Sequence, residues 1–123
     1  MTAALLVGIF GVAGTLLRFA VDSWFAHRAG PGTRWPWATL LVNVTGSFII
    51  GVSMGVTGQL GLGPEWQAGL ATGLAGGLTT FSSWTTATVR LAREARYRAA
   101  ALNVAANLIA GFAAAALGLA LTG

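Results

Sequence analysis

The 123-residue sequence contains no cysteine, which excludes disulfides, thiolate metal centres and cysteine nucleophiles. Charge is almost as scarce: 8% of residues are charged, against about a quarter in soluble globular domains. The three acids, Asp22, Glu65 and Glu94, all stand near the ends of apolar runs. Proton-coupled transport generally needs an ionisable group inside the membrane, so a proton-driven exporter is disfavoured. His27, the single histidine, lies beside a polar connection with no second ligand at usable spacing, and reads as interfacial rather than as a metal ligand or proton relay. There is no Ser, His and acid set, no pair of carboxylates and no glycine loop leading to a lysine, so the chain does not read as an enzyme.

What is present is apolar. Hydrophobic residues make up 55% of the chain and the mean hydropathy is +0.74, which marks a single-domain, all-α integral membrane protein. Four spans are expected, at about 3–26, 36–58, 65–89 and 99–121. The first is too long for a signal-peptide apolar region and has no basic stretch before it, so it reads as a retained helix. Arg18 and Asp22 share one of its faces and read as a helix-end pair reaching toward headgroups. The net charge of +4 does not point to nucleic acid, because the arginines flank apolar spans; anionic lipid is the expected partner. The first connection holds Arg28 and Arg34 among Gly30, Pro31 and Gly32, and the third holds Arg90, Arg93, Arg96 and Arg98. The second connection and both termini hold none. The positive-inside rule therefore sets the basic connections in the cytoplasm and both termini outside, in a multi-pass protein of the cell membrane.

One stretch organises the rest. At 76–84 two glycines, two threonines, Phe81, two serines and Trp84 interrupt an uncharged span. Glycine loosens the backbone and threonine competes for its hydrogen bonds, so a helix break is expected at membrane depth. Irregular backbone there is tolerated only where it is buried in protein or lines a polar cavity. Thr39, Asn43, Ser47, Gly51 and Gly55 recur every four residues on the second span, and Asn103, Asn107 and Gly111 do so on the fourth. The small residues suit close helix packing, whereas a carboxamide in an uncharged span must find partners and carries two donors. Asparagine donors, hydroxyls and electropositive ring edges without arginine suit a passive pore for a small anion.

Three segments resemble the CrcB/Fluc family of fluoride channels: GVAGTLLR from Gly11 to Arg18, TLLVNVTGSF from Thr39 to Phe48, and GGLTTFS from Gly76 to Ser82. The resemblance covers the whole chain in the right order. It implies export of cytoplasmic fluoride by passive permeation, through two pores along an antiparallel, dual-topology dimer. It implies that Asn43 donates to fluoride, that Phe81 and Trp84 present ring edges, and that Thr80 and Ser82 flank the path; Thr39 and Asn107, on the polar stripes, are the further residues expected along it. It also implies a central sodium ion on the main-chain carbonyls of Gly76 and Thr79. Two features depart from the family pattern: Trp84 stands where phenylalanine is usual, and Asn103, Asn107 and Gly111 replace tyrosine and serine. With the lopsided arginines, these suggest pairing with a related subunit of opposite orientation instead of a homodimer. Two other classes make different demands on the sequence. A small multidrug-type antiporter expects a glutamate embedded in the first span, where none exists; a non-conducting assembly subunit would use the Asn and Gly stripes for packing alone.

Overall fold

The computed structural model describes residues 2–28 and 35–123. The turn residues Gly30, Pro31 and Gly32, together with Arg34, lie outside them. The described chain is helical throughout apart from short connections, with no strand: α1 (Thr2–Arg28), α2 (Trp37–Leu60), α3 (Pro64–Gln67), a π-helical segment (Ala68–Ala75), α4 (Gly76–Leu78), α5 (Phe81–Arg93) and α6 (Tyr97–Thr122). Three of these, α1, α2 and α6, are long and apolar enough to cross a membrane. The 27 residues of α1 extend roughly 40 Å at about 1.5 Å per residue, which exceeds a hydrocarbon core of about 30 Å.

Leu5, Ile9, Val12, Leu16 and Phe19 of α1 are more than half exposed, as is normal where the surrounding solvent is lipid. The association of the helices therefore rests on close backbone contact. α2 packs along α6, and α1 packs along the π segment and α4. At the first seam a Cβ on Gly51 would overlap the Ala115 carbonyl; at the second, a Cβ on Gly14 would overlap that of Leu74. α2 stops at Gly61, whose φ of 65° suits glycine, and the Thr57 carbonyl accepts from the amides of Gly61 and Leu62. Pro64 then begins α3.

The expected interruption is present, but it is shorter than the motif suggested and lies elsewhere within it. Gly76 and Gly77 are helical, and so are Phe81 to Trp84. Only Thr79, at ψ 158°, and Thr80, at φ −145° and ψ 116°, are extended. The glycine pair serves packing: a Cβ on Gly77 would overlap the Gly11 carbonyl of α1. The cause of the break lies on another helix.

Candidate functional site

The Thr80 amide, which a continuous helix would direct at the Gly76 carbonyl, instead donates to Asn43 Oδ1 of α2 at 2.7 Å. Asn43 Nδ2 donates back to the Thr80 carbonyl at 3.2 Å. One carboxamide thus completes both main-chain groups of the residue at the break, as a neighbouring strand would. Thr80 Oγ1 accepts from the Ser83 amide at 3.1 Å and caps α5; it also lies 3.4 Å from Ser82 Oγ. Gly46, one turn after Asn43, makes room for the break, because a Cβ there would overlap Thr79 Cγ2.

The second N–H of Asn43 donates to Asn107 Oδ1 at 2.9 Å. Asn107 Nδ2 donates to the carbonyl and Oδ1 of Asn103, at 2.8 and 3.1 Å. Asn103 Nδ2 reaches Thr88 Oγ1 at 2.9 Å and the Trp84 carbonyl at 3.3 Å, and Thr88 Oγ1 donates to that carbonyl at 2.9 Å. The Trp84 indole donates to the Asn103 carbonyl at 3.1 Å. No buried side-chain nitrogen or oxygen among the described residues lacks a partner, so the network is satisfied throughout.

Two cavities meet this junction. The smaller, about 280 Å³, is lined by Asn43, Ser47, Ile50, Thr79, Thr80, Phe81, Trp84, Asn107 and Leu108. Phe81 and Trp84 meet edge-on, with centroids 5.7 Å apart and planes at 77°, and Phe81 is 72% exposed. No lining residue is ionisable. Among the described residues the Ser47 and Thr79 hydroxyls have no hydrogen-bond partner, which leaves two neutral donors for an anion. A Cβ on Gly111 would come within 3.3 Å of Ser47 Oγ, so the glycine leaves that hydroxyl its space. The larger cavity, about 640 Å³, has a lining that includes Asp22, Trp35, Thr39, Ser82, Thr86 and Arg90.

The expected residues therefore divide. Asn43, Thr80, Phe81, Trp84 and Asn107 converge on the smaller cavity, with Thr79; Thr39 and Ser82 line the larger. Gly76 is exposed and lines neither, and Arg18, half-buried on α1, also lines neither. Both donors of Asn43 are engaged, whereas the sequence had suggested two free ones. The indole N–H of Trp84 is turned to α6, away from the cavity. Thr88 and Gly46 were not singled out from the sequence; the signals were present, since Thr88 follows Trp84 by one turn and Gly46 falls inside the second-span motif.

The chain from residue 5 to residue 119 matches the family model described as CrcB-like protein, Camphor Resistance (CrcB). It is 47% identical over 119 residues to a fluoride-specific ion channel FluC of Renibacterium salmoninarum, covering 94% of each chain. It is 38% identical over 122 residues to a fluoride-specific ion channel FluC of Rhizobium meliloti, covering 98% of this chain and 96% of the other. A fluoride-specific ion channel FluC 1 of Symbiobacterium thermophilum is 40% identical over 117 residues, with 94% of each chain covered.

Proposed function

The chain belongs to the CrcB-like family, and from that membership we propose that it is a fluoride-specific channel, a passive pore through which cytoplasmic fluoride leaves the cell. The observation that carries this reading is the smaller cavity, set at a helix break and walled by amide, hydroxyl and ring-edge groups with no ionisable side chain. Neutral donors replace water around a small anion without holding it as an arginine would. In this reading the interrupted stretch from α3 to α5 makes a fourth crossing. The larger cavity gathers anions in the positive field of the cytoplasmic arginines. The anion then passes Thr39 and Ser82 to reach Asn43, Ser47 and the edges of Phe81 and Trp84.

A second chain of opposite orientation, another copy or a related subunit, would complete the pores against the exposed Phe81 face. In this reading the carbonyls of Gly76 and Thr79 would hold a sodium ion. The diversion of the Thr80 amide to Asn43 relieves the Gly76 carbonyl of its helical partner, and uncharged oxygens suit a hard monovalent cation. When bound, the ion would supply positive charge that ties the freed carbonyls together. An antiporter is not favoured, because Glu65 and Glu94 lie at helix ends and Asp22 within two turns of the end of α1.

The test is fluoride efflux from proteoliposomes holding the purified protein, followed with a fluoride-selective electrode, with chloride as control. Fluoride flux without chloride flux is expected. Equal flux of both anions, or none from vesicles that also hold an oppositely oriented relative, overturns the reading.

A further inference from the structure

The carboxamides of Asn43, Asn107 and Asn103 form a one-way chain from the helix break into α6. Each carries two N–H groups, and all six have an acceptor inside the protein: Thr80 O and Asn107 Oδ1 for Asn43, Asn103 O and Oδ1 for Asn107, Trp84 O and Thr88 Oγ1 for Asn103. The direction is fixed at both ends. Turning Asn43 over would set its NH2 against the Thr80 amide. Turning Asn107 over would set its oxygen against both Asn103 oxygens and its NH2 against that of Asn43. At the far end Trp84 clamps Asn103, since the indole donates to the Asn103 carbonyl while Asn103 donates to the Trp84 carbonyl. Asn107 is therefore compelled to offer the cavity a carbonyl oxygen, seated on a donor that a bound anion would use.

Resting on the channel reading above, we infer that the Asn107 carbonyl oxygen is a resident competitor for the anion. It holds the second donor of Asn43 while the cavity is empty, is displaced when a halide docks, and takes the donor back as the halide leaves. Asn107 is a positioning residue that acts through Asn43. The exchange keeps Asn43 oriented between ions and speeds release, because each departing ion is replaced by an acceptor already in place. Ser47, whose hydroxyl is unengaged, offers the first donor and Asn43 the second.

The test uses two variants, Asn107→Leu, which keeps the volume and removes the acceptor, and Asn107→Ala. Half-saturating fluoride is measured by flux from proteoliposomes. In parallel, the side-chain amide resonances of Asn43 and Asn107 are followed in nanodiscs during fluoride titration. In the unaltered protein both resonances shift together. Each variant is expected to lower half-saturating fluoride by roughly three- to tenfold, the factor matching the net stabilisation of one neutral hydrogen bond, with maximal flux reduced because release slows. A merely structural residue would change maximal flux or folded yield and leave half-saturation where it was, in flux and in the Asn43 titration alike; that result overturns the inference. If the unaltered protein shows neither flux nor a fluoride-dependent shift, the channel reading itself fails and this inference falls with it.

Discussion

Replacing Asn43 by leucine removes a side chain of similar size together with three hydrogen bonds, from Thr80 N–H, to Thr80 O and to Asn107 Oδ1, at 2.7, 3.2 and 2.9 Å. The Thr80 amide has an alternative partner in the Gly76 carbonyl, reached by rewinding residues 79–80 into helix. Asn107 Oδ1 is left as an orphan, whereas the Thr80 carbonyl, at the N-cap of α5, keeps its intrahelical bond. An unsatisfied buried group costs about 1 to 3 kcal/mol, and side-chain bonds within membrane proteins average nearer about 0.6, so the loss should be roughly 1 to 3 kcal/mol. Reversible unfolding in mixed micelles with increasing dodecyl sulfate, followed by tryptophan fluorescence, measures it. Fluoride efflux should fall roughly 10- to 100-fold, as for a hydrogen bond to a charged partner. Asn43→Asp separates the two roles: one oxygen still accepts from the Thr80 amide, while the donors to Thr80 O and Asn107 Oδ1 are lost, so flux should vanish with the Thr80 amide still diverted from the helix. An Asn43→Leu protein that unfolds within about 0.5 kcal/mol of the original, the scatter of an ordinary surface substitution, and still conducts would refute the reasoning.

Gly46→Ala drives a methyl group into Thr79, at a cost of about 1 to 3 kcal/mol by the usual range for overpacking, and should lower flux more than Gly58→Ala, which meets nothing within 4 Å. Trp84→Phe loses the indole bond to Asn103 and should destabilise by about 0.5 to 1.5 kcal/mol while selectivity over chloride stays, which paired flux measurements would check. Exchanging sodium for N-methylglucamine should lower the thermal midpoint, in proportion to the logarithm of sodium concentration above its dissociation constant. An unchanged midpoint across that exchange would count against the Gly76 and Thr79 carbonyls as a cation site.

The helical class and the presence of an interruption were legible because both are written locally, in long uncharged runs and in a cluster of helix-averse residues. The position of the interruption was not. Glycine weakens a helix only where the backbone is free to leave it; Gly77 is pressed against the Gly11 carbonyl and stays helical, whereas Thr80 departs because an acceptor 37 positions earlier takes its amide. The four-residue stripes showed which residues share a face on α2 and on α6, since helical spacing fixes that; that the two stripes meet, Asn43 on Asn107, comes from the assembled helices. Spacing does not say whether a carboxamide donor is free. That depends on contacts between α2, α5 and α6, and the engagement of Asn43 emerges only once all three are assembled.

The dependence of the break on Asn43 bears on biogenesis. In the four-span reading, a peptide covering only 64–93 has no outside acceptor for Thr80 and would insert as one uninterrupted rod, its amide paired with Gly76. The kinked form is then acquired by docking, after α2 is already in the bilayer, and it is sealed when α6 delivers Asn107 to the other side of the same carboxamide. Translation order supplies α2 first and α6 last, so no exposed extended backbone need ever face lipid while the chain is being made.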